Sequence, residues 1–353
     1  MKDKMKAVVM RGPNQYGVEQ VGIPTPGVKE VLVHVKAVAI CGSDPKVFSG
    51  GYLNINWPPS FPFIPGHEFS GEVVALGEGV TEFKAGDRVA GEAHCGCGTC
   101  ANCKAGHYNL CLNYGRPSLG HRHYGFTTQG AYAQYNAYNV KSLTVLPDNV
   151  SYEEASLVDT AGTAYQAIRL TGLTAGGYSA VFGPGPIGIF AMQIAKAMGG
   201  KTIMVGRRER LQSALRLGAD HVVDYEGVKD VVGAVREITV GIGADEVFEC
   251  AGTQEAVIQS VRCAKKNGRV AFVALPTTDE MLIPVKTMVM NQIAVHGSRA
   301  NPNCSAKVLE LLSLGRINAK DMITHQFALD DIHEAMKTFV NRINGALKVV
   351  VKP

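Results

Sequence analysis

Four cysteines crowd one short window: Cys97, Cys100, Cys103 and Cys111, spaced C-x2-C-x2-C-x7-C. Few things other than a metal justify that density. Thiolates this close, on a loop loosened by Gly96, Gly98 and Gly106, can wrap a tetrahedral ion. Disulfide pairing is the bland alternative. It is disfavoured because the opening segment MKDKMKAVVM is charged and its apolar run is too short for a secretory signal. An iron–sulfur cluster is a second alternative, but Leu112 follows Cys111, so the short C-x3-C-P element of bacterial ferredoxins is missing. The spacing therefore predicts structural zinc. Such a site has four protein ligands and no open position, so it braces a loop, and any chemistry must lie elsewhere.

The chain has 353 residues, long for one core, so two domains are expected. A net charge of +4 and the absence of Lys/Arg runs argue against a nucleic-acid or anionic-membrane surface. No apolar stretch reaches the roughly 18 residues a membrane span needs. An odd total of nine cysteines fits reduced thiols and a cytoplasmic setting.

Two textures follow along the chain. The first 150 or so residues read as short strands broken by Gly and Pro: Lys6–Met10, Val31–Ala39, Phe69–Leu76 and Arg88–Ala90. Val31, Val33, Val35 and Ala37 alternate with His34 and Lys36, the period of a half-buried strand. Ser151 with Glu154 three residues on reads as a capping box that opens a helix. Beyond it, strands at Ser179–Phe182, Thr202–Val205, His221–Val223, Glu246–Glu249, Arg269–Ala274 and Ile293–His296 alternate with helical segments. That alternation predicts right-handed βαβ units and a doubly wound parallel sheet. The tail closes with a strand-like Ala346–Val351, which needs a sheet to join and is expected to return to the first domain.

Gly183-Pro184-Gly185-Pro186-Ile187-Gly188 matches G-x-G-x-x-G. Alone the motif is weak. Here it follows an apolar strand and opens a helix with Ile187, Ala191, Ile194 and Met198 on one face, the context of a dinucleotide-binding turn. An NAD enzyme would place a carboxylate about 20 residues on, at the tip of the next strand. This chain has Gly206, Arg207 and Arg208 there, and Glu209 falls in the following helix. Glycine leaves room for a 2′-phosphate and arginine can hold it, so NADP(H) is favoured over NAD(H). The bland reading is two solvated surface arginines.

In the first texture, Cys41-Gly42-Ser43-Asp44 is followed twenty-six residues after Cys41 by Gly66-His67-Glu68. Cysteine and histidine are zinc ligands, and a catalytic zinc keeps one position open. A lone cysteine is more often a small buried hydrophobe, and a lone histidine a satisfied core residue. Asp159, set among Leu157, Val158, Ala161 and Gly162, is either metal-bound, paired, or exposed on a helix.

Gly66, His67, Glu68, Gly71, Gly77 and Val80 fit G-H-E-x2-G-x5-G-x2-V, the signature of the zinc-containing medium-chain alcohol dehydrogenases. The four-cysteine loop and the Gly183–Gly188 turn stand in that family's order. The resemblance spans nearly the whole chain and is closest to the sorbitol and threonine dehydrogenase branch. It implies a GroES-like catalytic domain (1–155 and 298–353) interrupted by a Rossmann domain (156–297). It also implies a catalytic zinc on Cys41, His67 and Asp159, with Glu68 as an alternating or outer ligand, and so two zinc ions per chain. Ser43 is the candidate proton acceptor; capping the following turn is its bland role. The activity implied is hydride transfer between a secondary alcohol, a polyol first, and a nicotinamide held in an interdomain cleft. A homodimer or homotetramer is expected.

Three departures stand out. Thr160 follows Asp159 where polyol-dehydrogenase relatives usually show Glu-Pro. An aspartate ligand with Gly-x-Arg at the cofactor strand resembles NADP-dependent microbial secondary alcohol dehydrogenases, which usually lack the four-cysteine loop. Lys46 stands where relatives often carry a relay histidine, and Cys95 is a spare thiol. A simple alkanol, a hydroxy amino acid, a zinc-free quinone reductase and a non-catalytic NADP-binding protein are the alternatives. Trp57 and the segment His121–Phe126 are expected to shape the pocket, with His121 and His123 reaching substrate hydroxyls.

Overall fold

The computed structural model describes residues 3–276 and 278–353. They form two compact units. The first takes the chain up to Asp159, then Asn301–Ser313 and Ala319–Pro353; the second takes Thr160–Ala300 and Leu314–Asn318. The division thus falls inside the helix Val158–Thr171 rather than at its start.

The first unit is built on strand Glu30–Ala39, whose alternating valines make it the centre of a seven-stranded sheet. Its partners are Glu68–Leu76, Tyr135–Asn139 and, at its far end, the C-terminal strand Lys348–Lys352, where Val350 faces Ala39 and Val351 faces Val38. The tail therefore does return to the first sheet. It also carries a strand, Ile323–Ala328, parallel to Lys348–Lys352. One core joins residues from both ends of the chain, among them Val38, Ile40, Phe69, Ile332, Val349 and Val351. A separate hairpin pairs Lys4–Gly12 with Gln15–Gly22. The helix Tyr152–Ala155 opens on the expected capping box, with Ser151 and Glu154 bonded reciprocally.

The second unit is a six-stranded sheet in the spatial order His221–Asp224, Lys201–Gly206, Tyr178–Phe182, Ala244–Glu249, Ala264–Phe272, Ala294–Gly297. Every pairing is parallel. This is the Rossmann order, whose switch point lies between the first and fourth strands in sequence. There, Cys250 N–H donates to Phe182 O at 2.8 Å and Gly183 N–H to Val205 O at 2.9 Å, which sets the glycine-rich turn at the carboxyl edge. The helix that follows, Pro186–Ala197, is buried on nearly all sides from Gly188 to Ala195, not along one face. Met198, expected on that face, is its exposed C-cap residue.

Candidate active site and metal centres

The cysteine loop closes on itself as its spacing requires. The four sulfurs of Cys97, Cys100, Cys103 and Cys111 lie within 4.8 Å of one another. The Cys97–Cys103 and Cys100–Cys111 separations are 3.9 and 4.0 Å. A tetrahedron of zinc–sulfur bonds near 2.3 Å has an edge of about 3.8 Å, so this set fits a zinc ion. All four are free thiols, which excludes the disulfide reading. Backbone N–H groups of Thr99, Cys100, Cys103 and Asn113 point at the sulfurs, each at 3.4 Å. Against the cost of burial, such bonds bring the Cys97 thiol down to about 5. Burial instead lifts Cys103. A metal would equalise the four by holding every one as thiolate. Cys95 is buried, with its thiol pushed up to about 11, and is not a member of the group.

A second donor group joins Cys41, His67 and Glu68, again within 4.8 Å of one another. Two elements place it. Cys41 stands just past the end of strand Glu30–Ala39, and Glu68 begins the antiparallel strand Glu68–Leu76 at the register where it faces Ala39. Gly66 lets the chain turn into that strand at φ +93, where a Cβ would lie 2.7 Å from the Tyr132 ring. His67 and Glu68 are almost wholly buried. A thiol, an imidazole and a carboxylate converging in a buried place is a donor set suited to zinc.

The electrostatics favour positive charge at this place. Burial opposes charge on His67, yet Cys41 and Asp44 outweigh it and hold its pKa well above the ordinary value. Asp44 is the residue that sequence reasoning overlooked. Its Oδ2 accepts from Cys41 N–H and from the Tyr132 hydroxyl, both at 2.8 Å, and its Oδ1 lies 3.5 Å from His67 Nδ1. One buried carboxylate thus holds the Cys41 backbone and faces the His67 imidazole, the position outer carboxylates take around metal-bound histidines. Its place in Cys41-Gly42-Ser43-Asp44 was visible, but nothing in the spacing said that it faces His67.

Asp159 stands beside this group and not in it. It is half-buried, and its Oδ1 accepts from Ala93 N–H at 3.3 Å. Burial lifts its pKa; His67 pulls it back and Glu68 pushes it up, so the three groups feel one another. The set brought closest is Cys41, His67 and Glu68, with Asp159 as a neighbouring carboxylate. Glu68 has a second attachment. Its Oε2 accepts from the buried ammonium of Lys348, which also donates to Ile40 O at 3.2 Å. The Ser43 hydroxyl is buried and has no hydrogen-bond partner among the described residues. Ser43 occupies the N-cap of helix Asp44–Phe48 but makes no side-chain capping bond, so the bland role set out for it is not taken. Lys46 lies over the Tyr52 ring at 5.5 Å.

An aromatic chain leads away from His67. Phe126 lies 4.6 Å from the His67 ring, and Trp57 4.9 Å from Phe126. His123 is packed between Phe126 at 4.2 Å and His94 at 4.0 Å, and its Nδ1 meets the Tyr114 hydroxyl. His121 Nδ1 accepts from Gly115 N–H at 3.1 Å. The expectation that His121 and His123 reach substrate hydroxyls is therefore corrected: both are buried in the wall, His123 between the stacked rings of Phe126 and His94 and His121 against the tilted Tyr114 ring. Phe126 is the member in contact with the metal group, and Trp57 packs behind it.

At the cofactor turn, Gly183 has φ +98, and a Cβ on Gly188 would lie 2.0 Å from Gly183 O. Only glycine permits that approach. Gly185 caps helix Pro186–Ala197, where the one neighbour a Cβ would meet is the Arg210 guanidinium at 3.8 Å, so the helix N-terminus, with Pro186 and Ile187 in its first turn, is approached by a flexible cation and not by backbone. Gly206 has a further reason to be glycine: a Cβ there would sit 2.5 Å from the Pro184 ring. Arg207 and Arg208 are exposed, and both bond to Glu226.

Comparison with known proteins agrees with this architecture. Residues 27–148 match the sequence model for the alcohol dehydrogenase GroES-like domain, and residues 186–314 match the one for zinc-binding dehydrogenases. The sorbitol dehydrogenase of Bacillus subtilis (strain 168) is 34% identical, over 99% of this chain and 97% of its own. The L-threonine 3-dehydrogenase of Bacillus licheniformis is also 34% identical, over 100% of both. A crystal structure from Sinorhizobium meliloti 1021 bound to NADP superposes with a TM-score of 0.89 at 30% identity, covering 100% of both chains. No helix among the described residues is long and apolar enough to cross a membrane. With its two donor groups and its Rossmann turn in place, the chain belongs to the zinc-containing medium-chain alcohol dehydrogenases, in the sorbitol and threonine dehydrogenase branch, and is an alcohol or polyol dehydrogenase.

Proposed function

We propose that this enzyme oxidises a secondary hydroxyl of a polyol or sugar alcohol, with NADP(H) preferred over NAD(H), and reduces the ketone in reverse. The observation that carries the reading is the largely buried Cys41–His67–Glu68 donor group with the Ser43 hydroxyl, which has no hydrogen-bond partner among the described residues, two residues from Cys41. Cys41, His67 and Asp159 would hold the catalytic zinc, with Glu68 exchanging between the metal and Lys348. Cys97, Cys100, Cys103 and Cys111 would hold a second, structural zinc. When bound, the metal supplies Lewis-acid activation of the substrate oxygen, and the nicotinamide supplies the hydride acceptor.

The chain's own residues do the rest. Asp44 holds the Cys41 backbone and would accept from His67 Nδ1 once the ring closes on it, which would orient the imidazole as a ligand. Ser43 would take the substrate's hydroxyl proton as the first member of a relay, passing its own hydroxyl proton on to solvent. Phe126 and Trp57 wall the His67 side and exclude water. Gly183, Gly185 and Gly188 bring backbone against the pyrophosphate, and Arg207 and Arg208 meet the 2′-phosphate. The similarity to a sorbitol dehydrogenase supports the polyol, and the NADP-bound neighbour supports the cofactor. A soluble cytoplasmic homodimer or homotetramer completes the proposal.

Steady-state kinetics on four- to six-carbon polyols, 2-butanol, 2-propanol and L-threonine, each with NADP and NAD, test it. A site built for several hydroxyls rejects analogues that lack them, so kcat/KM for the best polyol should exceed the alkanols by about 100-fold or more. Comparable turnover of the alkanols, a lead for L-threonine, or equal use of NAD would each reject the part of the reading it touches.

A further inference from the structure

Two guanidinium groups converge on one carboxylate beside the cofactor turn. Arg207 Nη1 donates to Glu226 Oε1 at 2.7 Å. Arg208 donates from Nε to Oε2 at 2.9 Å and from Nη2 to Oε1 at 3.3 Å. The backbone makes this meeting unavoidable. Gly206 and Asp224 are register partners on adjacent parallel strands, and Tyr225 N–H donates to Gly206 O at 3.0 Å. The residues that follow the two strand tips therefore lie side by side. Glu226 N–H donates to Asp224 Oδ1 at 3.0 Å, which fixes the turn that presents the carboxylate. The Arg207 guanidinium also lies 5.9 Å from the centre of the Tyr225 ring. Arg208 takes φ 54, ψ −143, a backbone conformation that non-glycine residues seldom adopt.

A carboxylate that accepts three charged hydrogen bonds from two arginines occupies the place a phosphate monoester would take, because both present paired oxygens to the guanidinium fork. The arginines hold the Glu226 carboxyl below its ordinary value, so it stays ionised at working pH. All three side chains are partly exposed, and exposed pairs are weak enough for a dianion to break. We propose that Glu226 is a specificity-determining residue: an internal counter-ion that occupies Arg207 and Arg208 until a 2′-phosphate displaces it. This rests on the reading of the two arginines as the 2′-phosphate site. It adds that the affinity for NADP(H) is lower than the arginines alone would give, and that Glu226 sets by how much.

The test measures equilibrium binding of 2′,5′-ADP, NADP and NAD to the full-length protein and to Glu226→Gln, with Arg207→Ala as control. Glu226→Gln should bind 2′,5′-ADP and NADP about five- to tenfold more tightly, the range of one or two exposed ion pairs. Its NAD affinity should be unchanged within about twofold, the size of a negligible surface effect. The gain should vanish in Glu226→Gln/Arg207→Ala. Unchanged or weaker binding of 2′,5′-ADP overturns the proposal. So does a loss of NAD affinity, which would make Glu226 an acceptor for the ribose hydroxyl. If the unaltered protein shows no preference for NADP but Glu226→Gln still gains 2′,5′-ADP affinity, the cofactor reading fails and the counter-ion role stands. A second variant, Glu226→Ala, should show the same gain, and melting temperatures identify any variant that fails to fold.

Discussion

Lys348 and Glu68 form an ion pair in which both side chains are at most 2% exposed. Removing two charges from water costs several kcal/mol per ion, and the pair must recover it by geometry. Lys348 does so by adding Ile40 O as a second acceptor. Replacing the lysine with methionine would keep most of the volume but leave the Glu68 carboxylate buried without its cation. Lys348→Met should therefore lose about 3–5 kcal/mol in urea unfolding, and Lys348→Met/Glu68→Gln should regain most of it. A loss under about 1 kcal/mol would mean that Glu68 has another sufficient partner. Nothing local announces this pair, since Lys348 lies in an apolar run at the end of the chain and Glu68 inside a signature read for its metal ligand. Asp44 escaped notice for the same reason. Both are residues whose work is defined by what the sheet places across from them, which spacing along the chain does not encode. The cysteines were legible because four ligands within one loop must meet if any metal is held.

At the scale of elements, the βα alternation of the second unit could be read because each strand is a short apolar run between helices. The strands Gln15–Gly22, Tyr135–Asn139 and Leu143–Val145 could not, because partial burial and a short length dilute their alternation. The cysteine loop shows how an element found from sequence gains a role only in space. Its Tyr108 hydroxyl bonds to Glu92 and accepts from Asn303 N–H at 2.6 Å. Glu92 Oε1 accepts from the Ser305 hydroxyl at 2.7 Å, and burial lifts its carboxyl to about 7. The next residue, Ala93, holds Asp159. The loop is thus tied to the segment that presents a candidate ligand of the other site, yet each metal has its own donors. Elemental analysis should find about two zinc ions in the unaltered chain and about one each in Cys97→Ser and Cys41→Ser. Cys41→Ser should abolish turnover, while Cys97→Ser should make the loop susceptible to proteolysis. Two zinc ions retained in Cys97→Ser would reject the structural site.

For the molecule as a whole, the order of the chain matters more than its composition. Val350 pairs with Ala39 although the entire second unit lies between them in sequence. The first unit therefore cannot complete its central sheet until the last residues arrive, whereas the second closes its own core, with Ala180, Ile203, Val247 and Val270 among its members. This asymmetry gives a test. Val350 is fully buried in the strand that lies between Glu30–Ala39 and Ile323–Ala328. An aspartate there would bury an unpaired charge, which a marginally stable unit does not tolerate. The only tryptophan, Trp57, belongs to the first unit and reports on it alone. In Val350→Asp the Trp57 emission should be that of an unfolded chain without denaturant, while 2′,5′-ADP still binds, because its turn and arginines stand on the other sheet. Native-like Trp57 emission would show that the last strand is dispensable. Loss of nucleotide binding together with the Trp57 signal would show that the two units fold as one cooperative body and that their separate cores do not confer separate stability.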